Sequence, residues 1–261
     1  MKGMPEIRAA LEDARMGKTP GRGAVAAFVG AGGKTTAIFA LARLAADEGL
    51  SVAVTTTTRI YDPRDEGCRP FDGVVLDPLL GKAVASGPCV PDAATPRCGR
   101  ILVLAAGRDD GQGKLIGIDP SRCSELADAI DLVLVEADGS RGLPIKAPAD
   151  HEPVLPGGPD IIFGLIGLDC LGKPATAAVV HRLDRFLAVT GAAAGSPIAP
   201  VHLGLLAAHP EGLFKATPAS CLRLAVLNKA DSVAPGLAAL ALEAVASSAA
   251  PCRAVLASLV A

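Results

Sequence analysis

The sequence predicts a three-layer α/β domain with a mostly parallel sheet, and three observations carry that prediction. Short apolar runs bounded by turn residues recur along the chain, at Ala24 to Val29, Ser51 to Thr55, Ile101 to Ala105, Leu132 to Val135, Asp160 to Leu165 and Leu222 to Leu227. Their apolar character is continuous rather than alternating, as strands covered on both faces require. Between the first two lies a helical pattern, Thr35 to Glu48, in which Ile38, Leu41, Ala42 and Ala45 share one face and Gly49 ends the segment.

The remaining elements follow in order. Ile7, Ala10, Leu11 and Ala14 recur at helical spacing, so Pro5 to Arg15 is read as a helix that docks on the domain, with Pro5 in its first turn. The Gly/Pro-rich stretch Gly17 to Gly23 breaks it, which gives a docking helix and linker over 1–23 and a main domain over 24–261. An insertion is expected around 62–120, because Asp62 to Arg100 is rich in Pro, Gly and Cys and reads as a lid or a small added unit. Lys114 to Ile118, after Asp109-Asp110-Gly111, is expected to pair with the Ile101 run as a hairpin. The alanine-rich segment Leu237 to Ala246 is apolar all round and is expected as a buried helix.

Composition narrows the function classes. A length of 261 residues suits one main core. No uncharged apolar run reaches the roughly 18 residues of a membrane span, and Met1 to Gly23 lacks the apolar stretch of a secretory signal, so a cytoplasmic protein without membrane contact is expected. A net charge of −2 with both signs interspersed, one Tyr and no Trp leave no footprint for nucleic acid. The seven cysteines, at 68, 89, 98, 123, 170, 221 and 252, form no C-x-x-C pair and are read as free thiols.

The first chemical motif is Gly30-Ala31-Gly32-Gly33-Lys34-Thr35-Thr36, between the first apolar run and the first strong helix. Glycines let backbone N–H groups converge on phosphate oxygens, a lysine reaches the terminal phosphates, and a threonine hydroxyl at the helix start binds Mg²⁺. The pattern departs from G-x-x-x-x-G-K-[ST], since Phe28 stands where the first glycine belongs; the shorter loop resembles that of the Mur ligases. The second motif, Asp131 to Gly139, is an apolar strand ending in Glu136 and Asp138, which at a spacing of two are expected to face one cleft. One carboxylate is suited to Mg²⁺ and the other to orienting a nucleophile. The third is Asn228-Lys229-Ala230-Asp231, the N-K-x-D pattern in which an aspartate accepts from guanine N1–H and its amine. GTP is thereby favoured, with ATP left open. Thr55 to Thr58 and Arg59 are placed near the mouth of the same cleft, where they sense γ-phosphate or simply end a strand. The loop after Gly139 gathers Arg141, Lys146, His151 and Glu152; Arg141, His151 and Glu152 are taken as contacts to an acceptor substrate.

Five blocks, Val29 to Thr36, Val54 to Ile60, Leu134 to Ser140, Lys146 to Pro153 and Leu227 to Asp231, together resemble the selenium-dependent molybdenum hydroxylase accessory proteins of the YqeC type over nearly the whole chain. Gly167 to Pro174 and Val180 to Arg182 are also similar. The resemblance implies a P-loop NTPase in the maturation of those hydroxylases, with a molybdenum-cofactor nucleotidyltransferase or the hydroxylase apoprotein as partner. The expected ligands are a nucleoside triphosphate and Mg²⁺: Gly30, Ala31, Gly32, Gly33, Lys34, Thr35, Thr36, Asn228, Lys229 and Asp231 for the nucleotide, and Thr35, Glu136 and Asp138 for the metal. A Mur-like ATP-dependent kinase or ligase, and a nucleotide-gated binding module, are the alternatives.

Overall fold

The structure, a computed structural model, describes residues 2–16, 21–66, 71–76, 99–249 and 252–259. Its elements run α1 (Met4–Met16), β1 (Ala24–Gly30), α2 (Lys34–Asp47), β2 (Val52–Thr56), β3 (Arg59–Tyr61), α3 (Pro63–Glu66), β4 (Gly73–Leu76), β5 (Ile101–Ala105), β6 (Gly107–Asp109), β7 (Lys114–Ile116), α4 (Arg122–Leu126), β8 (Leu132–Glu136), β9 (Ile145–Lys146), β10 (Ile161–Gly167), β11 (Val180–His181), α5 (Leu183–Thr190), α6 (Pro200–Ala208), β12 (Leu222–Asn228), α7 (Pro235–Ala246) and β13 (Arg253–Leu256).

Eight strands form one parallel sheet in the order β13-β12-β10-β1-β8-β2-β5-β4. The continuous apolar runs are explained by what covers them. Along β1, Ala24, Ala26 and Phe28 face the layer that holds α1 and α2, while Ala27 and Val29 face the layer that holds α5, α6 and α7. Val25 meets Cys123 and Leu126 of α4 in a third cluster. Phe28 and Phe163 are register partners on β1 and β10, with ring centroids 4.9 Å apart. Each ring is fully buried, which contributes about 1.5–3 kcal/mol. The result is the three-layer α/β arrangement that the sequence predicts.

The topology places the site. From β1 the chain runs through α2 to β2 on one side, and later adds β10 on the other. The carboxyl end of β1 therefore lies where the strand order reverses, the position at which open α/β sheets hold their ligands.

The structure corrects three expectations. The Ile101 run is a strand of the main sheet, and Lys114–Ile116 pairs instead with Gly107–Asp109 and Arg59–Tyr61 in an antiparallel meander ordered β3-β7-β6. Ile101 to Ala105 is largely buried inside the sheet, where β2 and β4 take its backbone groups. The segment 62–120 is only in part an insertion, since it supplies β4 and β5; within it residues 77–98, with Cys89 and Cys98, lie outside the described residues, as does Cys68. The helix at 235–246 buries only Ala238, Ala241 and Val245, and Leu240 is exposed, because α7 packs one face on α6 and β13 and turns the other outward. The helix predicted at Pro5 to Arg15 runs Met4–Met16 and buries the four residues of its apolar stripe. Among the described cysteines, Cys123 and Cys170 are buried thiols that burial pushes up to about 12, as inert core thiols behave. No helix of the described residues is long and apolar enough to cross a membrane.

Candidate functional site

The turn after β1 is shaped by glycine. Gly30, Gly32 and Gly33 hold φ of +88°, +85° and +114°, a region that side chains rarely tolerate. The loop is also pressed against the neighbouring strand ends. A Cβ on Gly32 would stand 2.2 Å from the Gly167 amide nitrogen, and one on Gly33 would stand 2.6 Å from Asn228 Nδ2. Ala31 N–H donates to the Leu165 carbonyl at 2.9 Å and Gly32 N–H to that of Leu143 at 3.1 Å. Asn228 clamps the loop from β12, since its Nδ2 donates to the Gly32 carbonyl at 2.9 Å and its Oδ1 accepts the Leu259 N–H at 3.0 Å. Gly33 begins α2 with no side-chain cap, so the first-turn N–H groups of a 14-residue helix face the cleft without an intrahelical partner.

Behind the loop runs a buried chain of alternating charge. Lys34 Nζ donates to the Gly30 carbonyl at 2.7 Å and pairs with Asp138 Oδ1 at 3.0 Å. Asp138 Oδ2 accepts the Gly30 N–H at 3.1 Å and meets Lys146 Nζ, also at 3.1 Å. Lys146 further donates to the Gly139 carbonyl at 2.7 Å and to Glu152 Oε2 at 3.0 Å, and Arg182 stands 3.6 Å from Glu152 Oε1. Burial opposes the Glu152 charge, but the Ala149 N–H and the Lys146 ammonium outweigh it and bring the carboxyl down to about 2. His181, paired in register with Lys146, is pushed down to about 4 by burial and by the Lys146 and Arg182 cations, and is neutral near pH 7.

Glu136 is placed differently. It is the last residue of β8, its Oε2 accepts the Thr35 hydroxyl at 2.8 Å, and it lines the cleft. That cleft has a volume of about 490 Å³, and Gly33, Lys34, Thr35, Thr36, Glu136, Arg141 and Lys229 line it together. The other predicted site residues lie elsewhere. Asp138 and Asn228 are buried behind the loop, where they brace it. Lys229 Nζ pairs with Asp169 Oδ2 at 2.9 Å, and Asp231 is exposed on the turn Ala230–Ser232. Glu152 is buried beneath Lys146, and His151 is exposed outside the cleft lining. The threonines after β2 serve the backbone: Thr55, Thr56 and Thr57 donate to the carbonyls of Leu104, Glu136 and Val154.

Sequence reasoning left out Lys146 as a site residue, and it missed Tyr61 and Lys114, which line the cleft from the meander. Lys146 had a signal in its neighbourhood to Glu152. Tyr61 and Lys114 needed the pairing of β3 with β7, which no local pattern reveals.

Among the described residues, no group of three or more His, Cys, Asp or Glu side chains is arranged to hold a metal. Mg²⁺ does not require one, since it keeps several waters and takes one or two protein oxygens beside substrate phosphates. The hydroxyl of Thr35 and the carboxylate of Glu136 are a donor pair of that kind.

The profile of the family described as YqeC protein matches residues 26–184. The chain is also 32% identical over 232 residues to the uncharacterized protein YqeC of Escherichia coli (strain K12), an alignment covering 88% of this chain and 84% of that protein. The chain belongs to the YqeC family. The matched segment takes in the glycine loop, Glu136, Asp138 and the Lys146–Glu152 pair, so the charge chain as far as the exposed Arg182 falls within the YqeC region, while the Asn228–Asp231 turn lies beyond it.

Proposed function

We propose that this YqeC-family chain binds a nucleoside triphosphate with Mg²⁺ and hydrolyses it, or transfers its γ-phosphoryl group, in the maturation of selenium-dependent molybdenum hydroxylases. The observation that carries the reading is the glycine loop at the carboxyl end of β1, with Lys34, Thr35 and Glu136 converging on one cleft. The Lys34 ammonium donates to the Gly30 carbonyl and is ion-paired with Asp138, and a remaining N–H suits a phosphate oxygen. The first-turn N–H groups of α2 add partial positive charge to the same place.

Thr35 and Glu136 would hold Mg²⁺, which when bound neutralises charge on the phosphates. In the reaction an oxygen of water or of an acceptor bonds to the γ-phosphorus while the bond to the β–γ bridging oxygen breaks. Nucleoside diphosphate leaves, and the proton of the nucleophile passes to Glu136 or to solvent. Exposed Asp231 is available to read a guanine, so GTP is the expected nucleotide. The involvement of a molybdenum-cofactor nucleotidyltransferase or of the hydroxylase apoprotein rests on the family resemblance.

A thermal-shift panel of GTP, ATP and their diphosphates, with and without Mg²⁺, tests this reading. Saturation to about a hundred times Kd should stabilise the native state by about 2.7 kcal/mol. Lys34→Ala should abolish that stabilisation. The reading fails if neither triphosphate shifts the wild-type transition, or if Lys34→Ala keeps wild-type affinity.

A further inference from the structure

The β3-β7-β6 meander has two unlike faces. Ile60 and Leu115 point inward and join the core under α2, whereas Arg59 and Tyr61, two apart on β3, point outward. Lys114 is the register partner of Tyr61 across the antiparallel pair, and its Nζ stands 4.7 Å from the Tyr61 ring centroid. Tyr61 is the chain's one tyrosine, and 56% of its surface is exposed. An aromatic ring and a cation held together on a surface, with their backs anchored in the core, are an unusual outlay for a chain that is only 3% aromatic.

This face is a wall of the same cleft as the glycine loop: Arg59, Tyr61 and Lys114 line it together with Ser140, Arg141 and Gly142. The cleft is strongly biased in charge. Its lining cations are Lys34, Arg59, Lys114, Arg141 and Lys229, against the one carboxylate of Glu136. Lys34, Arg59 and Lys229 have carboxylate partners in Asp138, Asp109 and Asp169. Lys114, on the meander, and Arg141, on the loop after β8, have no carboxylate partner among the described residues, and both line the cleft.

Sheet order fixes which side that is. Lys229 follows β12, the glycine loop follows β1, Glu136 ends β8, and Arg59 follows β2. With strands about 4.8 Å apart, the β12 and β2 ends are separated by about 19 Å along the edge. The loop and Glu136 lie between them. A nucleotide whose base lies towards Lys229 therefore directs its terminal phosphate towards Glu136 and the meander.

We propose that the outer face of the meander is the subsite of a second substrate, a small acceptor that carries an anionic group beside a planar ring. Its anionic group is held by Lys114 and Arg141 and its ring packs on Tyr61, on the γ-phosphate side of the cleft. This rests on the nucleotide reading for the chemistry but not for the binding of the acceptor itself. Arg59, tied to Asp109 on the same face, gives that face a net positive charge together with Lys114.

Phenyl phosphate, observed by saturation-transfer NMR, is the probe. It should bind wild-type protein already saturated with Mg²⁺ and the imido analogue of GTP, and phenol should bind far more weakly. Tyr61→Ala and Lys114→Ala should each weaken phenyl phosphate about tenfold, the scale of one lost charge or ring contact, while affinity for the analogue stays within about twofold. Tyr61→Phe should keep phenyl phosphate binding. Lys34→Ala should lose the analogue and retain phenyl phosphate. If wild-type protein binds phenyl phosphate but no nucleotide, the nucleotide reading fails and the subsite stands. Displacement of phenyl phosphate in step with bound analogue, loss of the analogue in the meander variants, or unchanged phenyl phosphate affinity in both of them would each overturn the subsite.

Discussion

Two strand ends on one edge of the sheet carry acidic segments of equal length, Glu136-Ala137-Asp138-Gly139 from the last residue of β8 and Asn228-Lys229-Ala230-Asp231 from the last residue of β12, and the fold uses them in opposite ways. At the β8 end, Asp138 is buried between two lysines: its Oδ2 accepts the Gly30 N–H and meets Lys146, and its Oδ1, which accepts no hydrogen bond, is ion-paired with Lys34. At the β12 end the buried polar residue is the neutral Asn228, and the carboxylate of Asp231 stands in solvent. The difference teaches that an acidic residue at a strand exit is available to a ligand only to the extent that its lone pairs are uncommitted. A carboxylate taken out of water must be matched by cations, and those cations then define a structural element rather than a binding one.

The largest effect should come from cutting the buried turn at its centre. Asp138→Ala leaves Lys34 and Lys146 facing each other without a counter-charge and should cost about 3–5 kcal/mol of stability, read from urea unfolding. Glu136→Gln, two residues earlier, should stay within about 1 kcal/mol of wild type and instead slow turnover about a hundredfold. Equal stability of the two variants would erase the distinction between the positions.

The next effect is a pH dependence. The folded-state carboxyl of Glu152 lies at about 2, below its ordinary value of 4.5. The native state thus binds this proton less tightly than the unfolded chain, and the stabilisation is complete above pH 4.5 and lost as pH falls towards 2. Its size is about 3 kcal/mol. Glu152→Gln should flatten that part of the stability profile, and an unchanged acid limb would remove Glu152 from the chain.

The smallest effect belongs to the exposed turn. Asp231→Asn should weaken GTP about tenfold, at the lower end for a lost charged acceptor because Asp231 is hydrated, and should improve tolerance of xanthosine triphosphate. ATP affinity should not move. Competition binding with the three nucleotides decides this, and equal base ratios in both proteins would take guanine recognition away from the β12 turn.

The sheet was legible because a parallel strand buried on both faces has to be continuously apolar, and β1 and β10 are. The glycine loop was legible because the positive φ values and the close approach of Gly32 to Gly167 leave glycine as the residue that fits. What was not legible depends on distant pairings. Asn228 was expected at a base, yet its amide is consumed by the Gly32 carbonyl and the Leu259 N–H, partners remote in sequence. Asp138 was expected to face the cleft beside Glu136. The strand ends at Glu136, however, and the chain then turns Asp138 under the loop to meet Lys34 and Lys146. Three-residue strands such as β3 and β7 carry too short a pattern to be found until their partners are known.

The clamp on Gly32 also bears on how the protein is made. Asn228, which holds the loop, is itself held through its oxygen by the Leu259 N–H, 31 residues further along the chain. During synthesis the glycine loop emerges well before its brace, since Asn228 lies 196 residues after Gly32 and Leu259 a further 31. The residues of β1 and α2 thus leave the ribosome long before those that fix the loop's shape, and the finished geometry waits for Asn228 and Leu259.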